Sequence, residues 1–429
     1  MQCKDNVTRG CESPHSYAGA TEAPAVVPIH PPTSPGEARL DEASPAVKVP
    51  AVVVGGTLNS LGVVRSLASA GIPIYVLDTS REGPAAWSRH ARFVRTPSLE
   101  GRDLIESLEE LAARLGVRPV LILTSDASVR TVSASRHRIE PLYRVSLPTP
   151  ERVEALIDKD RFQFLAEREQ FPVPRGTRVA SMADFARMQA LAPPLVVKPA
   201  DKVLVLNGAV ERAVVAQTMS EAVDAATRML RQAPCLIVQE WVEGPDSELF
   251  FTLFACDRQS RVLGLFTGRK LVCSPPAVGN TALCVAAPET ADALRAETLR
   301  FIERTAYCGL GSLEFKRDAR TGRFLIIEPT VGRTDWQEEI ATLCGVNLPL
   351  MAYRAEVGLA EPVSPRPAGG AVAWRASREI QAPRALLAPG LRLIDGYMRW
   401  SDPLPALYYY AYERFARRLW LRMTARRRA

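Results

Sequence analysis

The stretch from residue 51 to 78, AVVVGGTLNSLGVVRSLASAGIPIYVLD, limits the fold more than any other part of the chain. A short β-branched run ends in two glycines, a segment with apolar residues at helical spacing closes on Gly71, and a second apolar run follows. Strand, glycine-rich turn, helix and strand in that order form a crossover unit, which requires parallel pairing and helices against the sheet faces. A helix expected at about Asp103 to Leu115 and a buried strand in PVLILTSD extend the pattern, so residues 48–148 read as a small doubly wound α/β domain. A core stops growing at roughly 250–300 residues. A chain of 429 residues therefore carries at least one further domain.

Composition removes several classes. Apolar residues make up 47% and charged residues 24%, and no apolar run approaches the roughly 20 residues that span a bilayer. Eight cysteines with no CxxC pair, beside four histidines, argue against a structural zinc site and for buried thiols in a reducing cytosol. The first residues lack the basic start and apolar core of an export signal, and the proline-rich residues 1–47 read as a disordered leader. The net charge of +7 is local: residues 404–429 hold seven arginines and one acid, 7 − 1 = +6, which leaves +1 for the rest. A broad nucleic-acid face is not expected.

Downstream, Thr149 caps a helix within LPTPERVEALIDKDRFQFLAEREQFPVPRG, a second helix carries Phe162, Phe164 and Leu165, and Pro172 and Pro174 end it. PPLVVKPA, APCLIVQEWVEG, ELFFTLFACD and VLGLFTGRKLV read as strands, and GSLEFKRDARTGRFLIIEPT as a hairpin turning at Gly322. From about Ala360 the chain is proline-rich and then helical.

Several residues have the chemistry of a site. Lys198 ends an apolar strand, either as a snorkelling surface lysine or as a cation for polyphosphate. Gln239 and Glu240 end another strand. Beyond them, backbone groups at Trp241 and Val242 suit the edge of adenine, and Asp246 or Glu248 suits ribose hydroxyls, unless the stretch is only a solvated loop. Glu314 and Glu328 lie opposite one another in the hairpin. Carboxylates are rarely buried without partners, and a shared Mg²⁺ would offset their repulsion; the alternative is salt bridges to Lys316 and Arg317. Lys270 and Arg269 are in position to reach the same phosphates, and Arg333, in the loop after Glu328, to hold a substrate carboxylate or the transferred phosphoryl group.

In order and spacing, LPTPERVEALIDKDRFQFLAE, VVKP, QEWVEG, SLEFKRD and IIEPTVGR resemble the ATP-grasp superfamily, within its carbamoyl-phosphate-synthetase-like and carboxylate-amine ligase branch. The resemblance covers residues 50 to about 357. It implies a Rossmann-like domain followed by a two-lobed ATP-grasp domain at 149–358, with the small lobe at about 175–242, and a C-terminal extension at 359–429. It implies that Lys159 and Lys198 contact phosphates, that the QEWV stretch holds adenine, and that Glu314 and Glu328 bind Mg²⁺, with Mn²⁺ a substitute. The implied activity is ATP-dependent: a substrate carboxylate becomes an acyl phosphate, which an amine or similar nucleophile captures. The sequence departs from the family at three points. Thr330 stands at the usual asparagine metal ligand, Arg333 falls one place late, and the phosphate flap DKVLVLNGAVERA has Gly208 as its only glycine.

Two other readings are weighed beside this one. GGTLNSLG with Asp78 about 20 residues on resembles a dinucleotide fingerprint imperfectly; otherwise Gly55, Gly56 and Asn59 contact the acceptor substrate. The departures at Thr330 and the flap also fit a nucleotide-binding sensor without turnover. In the tail, Leu404, Tyr408, Tyr412, Phe415, Leu419 and Met423 form one helical stripe flanked by arginines. That stripe is expected to pack on the body or on a second copy in a homodimer, or else to lie on the inner membrane face of a cytoplasmic protein.

Overall fold

A computed structural model describes residues 48–200, 211–359 and 372–416. The leader at 1–47, the first ten residues of the flap and the tail beyond 416 lie outside the described residues.

The first sheet has the order β3-β2-β1-β4, built from β1 (Ala51–Val54), β2 (Ile74–Asp78), β3 (Ala91–Arg95) and β4 (Val120–Leu123). All its pairings are parallel, as the crossover pattern requires. β1 and β4 are buried along their whole length, which is why they read as continuous apolar runs. The helix Leu58–Ala68 follows the glycine turn, and the helix Gly101–Leu115 ends at Gly116 in the left-handed conformation. β3, ARFVR, was not anticipated. It is a half-exposed edge strand in which Arg92 and Arg95 interrupt the apolar residues.

Thr149 accepts a bond from the Arg152 amide and caps the helix Pro150–Ile157. Asp158 likewise caps Lys159–Arg168, which fixes Lys159 at the first position of that helix. A second sheet, in the order β5-β8-β6-β7, contains β5 (Gly176–Val179), β6 (Leu195–Pro199), β7 (Val214–Ala216) and β8 (Leu236–Glu240). The helix Met219–Met229 closes one face with Ala222, Ala225, Ala226 and Met229.

The largest sheet runs β13-β12-β9-β10-β11-β14-β15. Its strands are β9 (Leu249–Cys256), β10 (Val262–Ser274), β11 (Asn280–Ala286), β12 (Gly309–Arg317), β13 (Phe324–Val331), β14 (Val372–Arg375) and β15 (Arg392–Asp395). Alternation along β12 separates two faces. Leu313 and Phe315 join Phe250, Phe254 and Ile326 in a core that includes Phe301 of the helix Ala291–Thr305, while Ser312, Glu314 and Lys316 point the other way. On that second face, Phe251, Leu253, Phe266, Cys284 and Trp374 pack with Leu61, Ile340 and Leu348, joining the sheet to the first domain. β14 and β15 come from the segment read as proline-rich and then helical. They add two strands to the sheet through pairing of Cys284 with Trp374.

Candidate nucleotide site

The hairpin of β12 and β13 places Glu314 directly opposite Glu328, and Ser312 opposite Thr330, so all four share one face. β10 lies two strands away and contributes Lys270 to that face. It lies within this long strand, and its ammonium pairs with the Glu314 carboxylate. Lys270 is 4% exposed. Burial alone would lower its pKa, but Glu314 outweighs that and holds it above the ordinary lysine range. Lys159 Nζ stands 3.9 Å from Glu328 Oε2. Two opposed carboxylates with a hydroxyl beside them suit Mg²⁺, which binds through one or two protein carboxylates together with phosphates. Thr330 is 7% exposed. Among the described residues no group of three or more His, Cys, Asp or Glu side chains gathers as a metal site.

On the second sheet, Lys198 Nζ donates to Gln239 Oε1 at 3.2 Å, and Gln239 Nε2 donates to Gln163 Oε1 at 2.8 Å. The lysine is thus aimed by a chain of amides anchored on the helix that also carries Lys159. Glu240 accepts from the Ala192 amide at 3.0 Å and from Arg175 at 3.3 Å, and its side chain serves the lobe's own structure. The Trp241 amide donates to Pro194 O at 2.8 Å, and Val242 is buried.

The two acids expected at a ribose both engage protein groups. Asp246 accepts from the amides of Cys273 and Ala277 at 2.8 and 2.9 Å, and Glu248 pairs with Arg317 at 3.0 Å and Arg269 at 3.3 Å. Arg269 therefore meets Glu248. Arg317, weighed as a partner for the hairpin acids, meets Glu248 as well.

Lys316 was treated from sequence only as a salt-bridge partner, and it is the residue most clearly missed. It is 3% exposed, and its Nζ has no hydrogen-bond partner among the described residues. It lies 4.5 Å from the centre of the Trp241 ring. Burial lowers its pKa, against the pull of Asp246 and Glu314. The signal was available: two residues past Glu314 on a strand, a side chain must share its face.

Arg333 pairs with Asp126 at the start of the helix Asp126–Ala134 and donates to Thr334 O at 3.0 Å. Burial works against its charge, and Asp126 overcomes that to hold its pKa above the ordinary value. Beyond it, Asp335 Oδ2 accepts from Ser312 Oγ at 2.9 Å and Gln337 Nε2 at 3.1 Å. Glu338 is 2% exposed, and burial followed by the nearby Asp335 charge pushes its carboxyl up to about 8.

The glycine turn after β1 is closed by the protein itself. A methyl group on Gly56 would lie 2.1 Å from Asp78 Oδ2, and one on Gly83 would lie 2.3 Å from Gly56 O. The Ala85 amide donates to Gly56 O at 3.0 Å. Asn59 is committed too, donating to Thr124 O and Thr334 O and accepting from Thr334 Oγ1 at 2.6 Å. The backbone of Gly83 thus packs directly on that of Gly56.

No family model and no curated protein matches the sequence. Solved structures do match in three dimensions. N5-carboxyaminoimidazole ribonucleotide synthetase from Thermus thermophilus aligns with a TM-score of 0.59 and 19% identity over 78% of this chain and 85% of that one. The complex of biotin carboxylase with β,γ-ATP from Campylobacter jejuni aligns at 0.59 and 15% identity, over 75% and 73%. L-amino acid ligase from Bacillus licheniformis aligns at 0.56 and 14% identity, over 72% and 74%. The chain has the ATP-grasp fold. In this fold, β12 and β13 present the acids, β10 presents Lys270, and β6 and β8 present Lys198 and Gln239.

Proposed function

We propose that this protein is an ATP-dependent ligase that converts a substrate carboxylate into an acyl phosphate for capture by an amine or similar nucleophile. The observation that carries the reading is the sheet face on which Glu314 opposes Glu328 beside Lys270 and a Lys316 that has no hydrogen-bond partner among the described residues, with Lys159 reaching Glu328 from its helix. A face with that much buried charge suits a polyanion with its cation. The names of the structural neighbours, a synthetase, a carboxylase solved with a nucleotide and a ligase, support the same class.

In this reading Glu314, Glu328 and Thr330 would hold Mg²⁺, or Mn²⁺ in its place, and the metal would neutralise charge on the phosphates. Lys159 and Lys198 hold the phosphates of ATP, and backbone groups of the Gln239–Val242 stretch meet adenine. Lys270 balances Glu314 and faces the transferred group, and Arg333 orients the carboxylate. A carboxylate oxygen attacks the γ-phosphorus and ADP leaves. The nucleophile's nitrogen then bonds to the acyl carbon, the C–O bond to phosphate breaks, and phosphate departs with the proton left to solvent. Positioning and charge neutralisation suffice for such a transfer. The substrates are small molecules rather than nucleic acid, and the setting is the cytoplasm.

The test is ADP release with Mg²⁺ across a panel of carboxylates and amines, for wild type and Glu328→Ala. Metal-dependent ADP formation that falls on the order of 100-fold in the variant supports the ligase. Tight ATP binding with no turnover on any pair assigns the fold to a sensor, and no ATP binding at all removes the nucleotide site.

A further inference from the structure

We propose that the nucleophile reaches the site as a primary ammonium, held between the carboxylates of Asp335 and Glu338 in the loop that follows β13. The inference deepens the ligase reading above and rests on it.

The loop reads RTDWQEE, residues 333–339, and it is tied down at both ends. At its start Arg333 pairs with Asp126, and Thr334 bonds to Asn59 through both its hydroxyl and its carbonyl. At its end Glu339 accepts from Trp374 Nε1 at 3.0 Å and forms ion pairs with Arg399 at 2.8 Å and Arg65 at 3.5 Å. Neighbouring groups thus fix where Asp335 and Glu338 stand.

Glu338 and Glu339 are adjacent and equally buried, yet they are treated differently. Glu339 has two guanidinium groups and an indole, whereas Glu338 Oε1 has no hydrogen-bond partner among the described residues. Burial and then the Asp335 charge work against ionisation of Glu338, and a backbone bond from Asp335 offsets only part of that. Asp335 accepts from neutral groups: the Trp336 amide at 2.7 Å, Ser312 Oγ at 2.9 Å and Gln337 Nε2 at 3.1 Å. A cation between the two acids would relieve their repulsion and satisfy the orphaned oxygen.

The position is what connects this pair to the chemistry. Ser312 stands two residues before Glu314 on β12, so the two side chains share a face, and Asp335 is bonded to Ser312. The Asp335 charge also helps to hold Lys270 and Arg333 in their charged forms, but each of these is paired elsewhere, Lys270 with Glu314 and Arg333 with Asp126. The acid pair therefore adjoins the place where the acyl phosphate forms in the ligase reading. A divalent metal suits it less well, since Mg²⁺ demands a near-octahedral shell of oxygens. An ammonium brings three N–H donors to acceptor-only groups.

The test lets two nucleophiles compete for one acyl phosphate. The full chain is supplied with ATP, Mg²⁺ and the carboxylate panel, together with hydroxylamine, which is uncharged at neutral pH, and one of methylammonium, glycine or putrescine. The ratio of amide to hydroxamate does not depend on how fast the acyl phosphate forms or on how much of a preparation is folded. It should fall about ten-fold in Glu338→Gln and in Asp335→Asn, as expected on loss of a hydrogen bond to a charged group. An unchanged ratio in both variants overturns the ammonium site and leaves the ligase standing. So does a wild type that yields hydroxamate but no amide with any of the three amines. Neither product with any carboxylate removes the ligase reading, and this inference with it.

Discussion

The first sheet and the large sheet carry opposite kinds of evidence. The turn after β1 has the glycines of a nucleotide loop, yet Asp78 and Gly83 fill the space those glycines leave. The β12–β13 hairpin has no glycine-rich loop and reads as an ordinary pair of strands, yet the face turned toward the first domain holds Glu314, Glu328 and the buried Lys316. In one region the protein satisfies itself; in the other the Lys316 ammonium is buried without a hydrogen bond among the described residues. Unmet polar demand is the better guide to a site, because glycine also permits close packing of one's own backbone, whereas a buried unpartnered charge is costly unless something compensates it.

The sharpest way to break this contrast is Glu314→Ala. It leaves Lys270 buried with its ion-pair partner removed. Stability without nucleotide should fall by about 3 kcal/mol, since losing one partner of a buried pair strands the other. Chemical denaturation measures it. A change within experimental error would mean that Lys270 is solvated and that the face is not a place of stored charge. Next in size is Gly56→Ala on the other side of the comparison. Its added methyl group meets the Asp78 carboxylate, and overpacking of this kind costs about 1–3 kcal/mol. ATP affinity should not change. If ATP or NAD binding weakened instead, the turn would be a ligand site after all.

How much of this was legible in the sequence follows from the range of each interaction. β1, β2 and β4 were readable because a buried parallel strand is apolar throughout, and the hairpin because its two strands are neighbours in the chain. The facing of Glu314 and Glu328 came from that same local symmetry. β3 was hidden by its arginines, and β14 and β15 by the prolines around them. The Arg333–Asp126 pair joins positions 207 residues apart, and the links from Arg65 to Asp402 and from Asn59 to Thr334 are more distant still in sequence. Local pattern cannot supply such contacts. That Asp246 and Glu248 are bound to amides and arginines also depends on the register of β10 against β9, which spacing alone does not give.

The smallest expected effect tests the comparison most directly, because it predicts opposite signs for two measurements on one residue. Lys316→Met keeps the length of the side chain and its contact with Trp241 but removes the ammonium. If the charge is an uncompensated cost in the empty protein, the variant should be more stable by about 1 kcal/mol, as when a buried polar group yields to an apolar one of similar shape. If the same charge is there for a nucleotide, ATP should bind about ten-fold more weakly, a loss of about 1.4 kcal/mol. Thermal unfolding and isothermal titration on the same preparation give both numbers. A variant that is less stable and binds ATP equally well would make Lys316 an ordinary structural cation held by the Trp241 ring, and would remove the principal reason for preferring this face over the glycine turn.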